Sequence, residues 1–174
     1  MLKKAKIGLL GLMTDGYESI FPGIINRQIK YANELIATLS PVVDVVFSGP
    51  GLNRCSIEKI VAEYNNQSVD GILIILLAYS HGAYILRALQ NNRVPIALAV
   101  VQPDQVVGDD WVELDLTVNQ GIHGAQDNAN TIVRAGIACQ FFAGNRHDRR
   151  FVDFVDNFGK ACLTRTKLKN MRTG

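Results

Sequence analysis

A chain of 174 residues is sized for one domain, and at that length it can bury about two-thirds of its unfolded surface without a metal or disulfide as a staple. Its 48% hydrophobic and 20% charged residues exclude a disordered segment. The net charge of +2 names no charged partner, and a nucleic-acid surface is not expected, because the lysines and arginines are scattered except in RTKLKNMR at 165–172, which reads as a solvated terminal segment.

The opening MLKKAKIGLLGLM has the lysines and apolar run of a signal peptide. The run is short, lacks an A-x-A site and passes into Asp15 and Glu18, so it reads as a first strand at 7–12. PGIINRQIKYANELIATL then places Ile24, Ile25, Ile29, Ala32, Leu35, Ile36 and Leu39 on one helical stripe. Pro41 enters a second strand at 42–47. SIEKIVAEYNN predicts a helix with Ser56 as its N-cap, followed by a third strand at 71–77. GAYILRALQNN predicts a helix stopped by its asparagines, and Pro95 enters a fourth strand at 96–101. DNANTIVRAGIA supplies another helix, a weaker apolar run at 137–142 a fifth strand, and DRRFVDFVDNFGKACL a last helix.

Several of these strands are apolar on both faces, as parallel strands covered on both sides must be. The alternation predicts an α/β fold: an open, doubly wound, mostly parallel sheet of about five strands with helices on both faces, Rossmann- or flavodoxin-like. Residues 1–163 make one α/β domain, and 164–174 a tail or the start of a following domain. Nothing approaches the roughly 18 consecutive apolar residues of a membrane span. Cys55, Cys139 and Cys162, an odd set without CxxC spacing, read as reduced thiols, so the expected location is cytoplasmic.

Ligands of such sheets sit beyond the carboxyl ends of the strands, here in segments 13–23, 49–54, 78–82 and 102–124. Phosphate binding is weakly supported. GLLGLMTDG has no G-x-G-x-x-G, no G-K-[ST] occurs, and SGPGLNR reads as a tight turn into a helix. Among the histidines, His81 and His123 follow different strand ends and could face one cleft, while His147 is expected to open a surface helix. Asp15, Glu18, Asp104, Asp109 and Asp110 are metal-ligand candidates by loop position alone, and no metal site is expected within this chain. Ser80 adjoins His81, but sequence neighbours do not face one another, and Cys139 reads as packing, so no catalytic residue is assigned.

The segment WVELDLTVNQGIHGAQDNA, 111–129, is dense in hydrogen-bonding side chains. Gln120 and His123 would share a face on a first helical turn, and Gly121 and Gly124 would let a ligand approach the backbone. Amide and neutral imidazole groups both donate and accept, as a polyhydroxylated ligand requires. Equally, Asn119 could cap a helix and His123 be an ordinary surface residue.

WVELDLTVNQGIHG resembles the W-x-E-[IL]-D and N-Q-x-x-H-G of the N-terminal domain of L-arabinose isomerases, which group with the L-fucose isomerases as metal-dependent aldose–ketose isomerases. MTDGYESIFPG resembles that family's T-G-S-Q-x-L-Y-G loop, LLAYSHGAYILRAL its third strand and following helix, and 133–161 its closing αβα portion. The resemblance implies a substrate-capping and oligomerising domain that completes a neighbouring subunit's sugar site. The parent would be a trimer or hexamer with three domains and Mn²⁺. The metal-binding and proton-moving residues would lie in the later domains, beyond LKNMRTG, so this chain would bind no cofactor and be inactive alone. Carried over by motif, Glu18, Ile20, Phe21, Tyr79, Gln120 and His123 would contact the sugar. Glu18 and Phe21 stand where the family has Gln and Tyr, and Pro22 interrupts the match, which leaves the identity of the sugar open. The alternatives are a stand-alone sugar-binding or regulatory module without catalysis, and a flavodoxin-like or nucleotide-linked enzyme, which rests on fold analogy alone.

Overall fold

The computed structural model describes residues 3–171. Five strands form one sheet: β1 (Ala5–Leu12), β2 (Val43–Val46), β3 (Gly71–Leu76), β4 (Ile96–Val100) and β5 (Cys139–Ala143). All four pairings are parallel, and the order is β2-β1-β3-β4-β5. Helices α1 (Gly16–Ile20) and α2 (Ile24–Leu39) join β1 to β2, and α3 (Arg54–Asn66) joins β2 to β3. Helix α4 (Gly82–Gln90) joins β3 to β4, α5 (Glu113–Val118) and α6 (Gly121–Arg134) join β4 to β5, and α7 (Arg149–Asn170) closes the described chain. This is the doubly wound α/β architecture predicted, in the flavodoxin-like order.

Side chains of a strand alternate between the two faces, and here both faces are buried. Ile7 and Leu9 of β1, Leu73 and Ile75 of β3, and Ala97 and Ala99 of β4 join one core with Tyr31 and Leu35 of α2 and Phe151, Val155 and Phe158 of α7. Leu10 and Leu12, Ile72, Ile74 and Leu76, and Ile96 and Leu98 join a second core with residues of α3, α4 and α6. Helices thus cover both faces, and β3 is buried along its whole length. Each large apolar side chain so buried stabilises the fold by about 1.5–3 kcal/mol before chain entropy is counted. Edge strand β5 is half exposed, though Phe142 stacks on Phe154 at 5.2 Å between ring centroids.

The element ends differ from the sequence reading for local reasons. Ser56 is not the N-cap of α3. Asn53 is, its side chain accepting from the Ser56 amide at 3.1 Å while the Ser56 hydroxyl accepts from the Asn53 amide at 3.0 Å. Such a reciprocal box starts the helix three residues earlier than a simple Ser56 cap would. The fifth strand begins at Cys139 rather than residue 137, because Gly136 adopts φ +67 and the amides of Gly136 and Ile137 close α6 on Val133 and Ile132. Residues 165–170, in the segment expected as a solvated tail or the start of a following domain, continue α7 with mostly exposed side chains, while Arg172 and the two residues after it lie outside the described part. No helix of the described residues is long and apolar enough to cross a membrane.

Candidate functional site

In this strand order the chain leaves β1 to one side for β2 and returns on the other for β3, so the crevice beyond their carboxyl ends is the topological switch point. Three segments meet there. The loop and α1 after β1 bring Tyr17, the turn after β3 brings Tyr79 and His81, and the junction of α5 and α6 brings Gln120 and His123. The Tyr17 hydroxyl donates to Gln120 Oε1 at 3.2 Å, across 103 positions of sequence. The Tyr79 hydroxyl donates to Asp127 Oδ2 at 3.1 Å and lies 3.2 Å from His81 Nδ1. Asp127 also accepts from the Gly82 amide at 2.9 Å, tying the start of α4 to α6. Burial raises the Tyr79 phenol above its ordinary pKa, and the hydrogen bond donated to Asp127 adds to this; burial also raises that of Tyr17. Both phenols therefore stay protonated donors at neutral pH.

His123 lies one helical turn before Asp127, so both share one face of α6. His81 and His123 are exposed at the same edge, on segments that Asp127 links. Gln120 precedes α6 without capping it through its side chain, so its amide is spent on Tyr17 and its Nε2 donors are open. Tyr17 and Asp127 were missed in the sequence. Tyr17 lies inside the quoted first loop, and Asp127 sits four residues after His123, which is the one signal that marked it.

The other residues assigned by motif fall differently. Both Glu18 carboxylate oxygens accept backbone amides, from Gly23 at 2.7 Å and Ile25 at 3.0 Å, and so close the N-terminus of α2. Those two bonds, Ile25 first, hold its carboxyl below the ordinary value. Phe21 packs against the first core, and Ile20 is 63% exposed at the rim.

The segment 111–129 is helical almost throughout, and its polar residues divide into two sets. Asp115 accepts from the Val112 amide at 3.2 Å and pairs with Arg27 of α2 at 2.9 Å, and the Arg27 bond chiefly lowers its pKa. Asn119 caps no helix N-terminus. It ends α5, buried, with Oδ1 accepting from the Asp104 amide at 3.0 Å and Nδ2 donating to the Asp104 carboxylate at 2.9 Å and Asp115 carbonyl at 2.8 Å. Gln28 of α2 donates to the carbonyls of Leu77 and Val118, fastening α5 to the end of β3. These residues build the scaffold. Gln120, His123 and Asp127 form the second set, at the crevice.

Gly121 and Gly124 serve packing rather than ligand approach. A Cβ on Gly121 would lie 2.9 Å from the Leu76 carbonyl oxygen, and one on Gly124 would lie 3.1 Å from the Ser80 amide. Their absent side chains let the first turns of α6 press on the end of β3, which sets the height of Gln120 and His123.

SGPGLNR is the tight turn expected. The Gly51 amide donates to Gly11 at 2.7 Å, and the Leu52 and Asn53 amides are taken by Ser56 Oγ, so none of the three is free to cradle a phosphate. Asp15 accepts from Asn53 at 2.9 Å, Asp104 is held by Asn119, and Asp109 and Asp110 are exposed. Among the described residues no three His, Cys, Asp or Glu side chains converge on a metal position. His147 is exposed before α7, whose cap is Asp148. Ser80 is fully buried and cannot meet a ligand. Burial pushes the thiols of Cys139 and Cys162 up to about 12, which makes them poor nucleophiles at neutral pH.

No protein-family model matches the chain, and no curated protein does. Among solved structures it is similar to a periplasmic ribose ABC transporter from Conexibacter woesei DSM 14684, at 11% identity over 81% of this chain and 54% of that one, with a TM-score of 0.36. A LacI-family transcriptional regulator protein from Rhizobium etli aligns at 12% identity over 80% of this chain and 57% of that one, also at a TM-score of 0.36. The chain therefore spans little more than half the length of either. Likeness at this level carries no functional argument, and the fold class stands on the strand order itself.

Proposed function

We propose that this chain is the N-terminal, substrate-capping and oligomerising domain of a metal-dependent aldose–ketose isomerase of the arabinose/fucose type. The observation that carries the reading is the Tyr17–Gln120 hydrogen bond, which joins the two segments resembling that family's sugar-contacting loops. Gln120 Nε2 would donate to sugar hydroxyls, His123 would donate or accept beside it, and Tyr79 would close the third side. Such an array orients a polyol and excludes water from it. Mn²⁺ would supply polarisation of the sugar oxygens in the parent, and no residue of this chain is assigned to hold it.

The oligomerising role has its own support. Ile20 (63% exposed), Val106 (77%), Val107 (69%), Val112 (61%), Leu116 (50%) and Ile122 (46%) all stand on segments that leave the carboxyl ends of β1 and β4. Exposed apolar groups on the same segments that supply the polar crevice fit burial against another domain or subunit. The parent would move a proton between adjacent carbons, a step that needs an acid and a base outside this domain.

The test joins two measurements. Ketose formation with Mn²⁺ and a panel of aldoses is expected to be absent for the chain alone, and turnover would overturn the domain assignment. In the parent isomerase, His123→Ala is expected to lower turnover or sugar affinity by about tenfold or more, and unchanged kinetics would remove His123 from the site. A stand-alone sugar-binding module is the second reading, favoured by the way the Tyr79–Asp127–Gly82 links are complete within one chain. Sugar binding by the isolated chain, without turnover in any assembly, would select it.

A further inference from the structure

We propose that His81 is a further ligand-binding residue of the crevice, preset by Asp127 through Tyr79 to offer its Nε2 lone pair to a hydroxyl of a polyhydroxylated ligand. The inference rests on the reading of this edge as a sugar site, but its first step is independent of any ligand.

The geometry assigns the protons. Asp127 Oδ2, as a carboxylate oxygen, only accepts, and it takes the Tyr79 hydroxyl at 3.1 Å and the Gly82 amide at 2.9 Å. A phenol hydroxyl has one hydrogen to donate. With that hydrogen directed to Asp127, the Tyr79 oxygen is left as an acceptor for the ring nitrogen 3.2 Å away, so His81 carries its proton on Nδ1. In the neutral ring Nε2 is then unprotonated and can accept from a ligand. A neighbour's hydrogen bond at one ring nitrogen commonly sets the role of the other.

The imidazole is exposed and free for a ligand, yet its surroundings hold it in place. Its backbone is the N-cap of α4, yet its side chain makes no cap hydrogen bond, so the ring is not spent on the helix. The Tyr79 ring meets it edge-on at 5.1 Å between centroids, and the Tyr84 ring does so at 5.0 Å. Gly82, the next residue, is pinned by the same carboxylate that orients Tyr79. A Cβ on Gly82 would lie 2.6 Å from the Asp127 carbonyl oxygen, so α4 and α6 meet there without slack. Asp127 and Tyr79 are thus positioning residues for His81, which stands on the exposed side of the chain of bonds.

Long-range ¹H–¹⁵N correlation on the full chain reads the tautomer directly, with His81→Gln assigning the signal among three histidines. The expected result without ligand is the Nδ1–H form for His81. Tyr79→Phe keeps the ring contact but removes the relay, and Asp127→Ala removes the acceptor. Each is expected to release His81 to a mixture containing the Nε2–H form. Titration with L-arabinose and L-fucose is then expected to shift His81 Nε2, with about three- to tenfold weaker binding in Tyr79→Phe, the effect of one loosened hydrogen bond. An Nε2–H ring in the unmodified chain overturns the relay whether or not a sugar binds. An Nδ1–H ring whose Nε2 stays unmoved while a sugar binds elsewhere overturns the ligand role alone. An Nδ1–H ring with no sugar response at any residue overturns the ligand role in this chain and the stand-alone binding reading, leaving the relay standing.

Discussion

Tyr17 and Gln120 are 103 positions apart, and the phenol of one donates to the side-chain carbonyl of the other at 3.2 Å. One stands on a five-residue helix after β1 and the other in the junction between α5 and α6. The bond fixes which end of the Gln120 amide faces outward: Oε1 is occupied, and the two Nε2 hydrogens are presented to the crevice.

Tyr17→Phe should therefore leave the fold intact and unlock the amide. The expected stability cost is that of one partly buried hydrogen bond, about 0.5–1.5 kcal/mol by urea denaturation. On the proposed reading, sugar affinity of the parent isomerase should fall about three- to tenfold, and an unchanged affinity would show that the amide needs no fixing.

Gln28 is 1% exposed and its amide donates to carbonyls at the ends of β3 and α5. Gln28→Leu has similar bulk but strands both carbonyls away from water. The loss should be about 2–4 kcal/mol, well above that of an ordinary surface substitution. Amide hydrogen exchange should quicken in α5, because the fastening there is gone. A loss below about 0.5 kcal/mol would mean that the carbonyls find other donors.

Gly121 separates two kinds of glycine. Gly121→Ala puts a methyl 2.9 Å from the backbone oxygen of Leu76, which has no side-chain freedom to give way. Overpacking of about 1–3 kcal/mol should outweigh the helix propensity gained, about 1 kcal/mol. Gly16→Ala, in a position with no neighbour nearer than 3.9 Å, should be neutral or slightly stabilising. Equal effects at the two sites in thermal melts would contradict the packing role.

Glu18 gives an acid-side prediction. Its folded pKa lies below its ordinary value of 4.5 because the Ile25 and Gly23 amides bond the carboxylate. A depressed folded pKa means that the contribution is fully present above the unfolded value and is lost as the pH falls through the folded one. Stability measured from pH 6 down to about pH 3 should decline more in the unmodified chain than in Glu18→Gln. Parallel curves would show that the N-terminus of α2 does not depend on the charge.

The cysteines should separate by exposure. Cys55 is exposed, whereas Cys162 is buried with its thiol pushed up to about 12. A thiol reagent at neutral pH should label Cys55 in the folded chain and reach Cys162 only on unfolding. Prompt labelling of Cys162 would indicate that α7 detaches from the sheet.

The three central strand runs were legible because burial on both faces demands continuous apolar side chains, a requirement that acts locally and writes itself into a window of a few residues. The same holds for the α2 stripe, though Gln28 and Tyr31, both buried, broke the hydrophobic pattern and were passed over. The polar density of 111–129 was equally plain, but not its division of labour. Asn119 and Asp115 have the same residue chemistry as Gln120 and Asp127, and only long-range partners (Asp104 and Arg27 for one pair, Tyr17 and Tyr79 for the other) separate scaffold from crevice. Glu18 is a sugar contact only by family resemblance, and a carboxylate in a loop after a strand carries no local sign that it closes the next helix. Hydrophobic periodicity is a property of neighbours in sequence, so the chain by itself determined its strands, its longer helices and its fold class, whereas the short helices α1 and α5 carry too few turns to show a period. A hydrogen bond between residues 103 apart has no such local signature, so the composition of the crevice was decided only when the strand order brought β1 and β3 side by side.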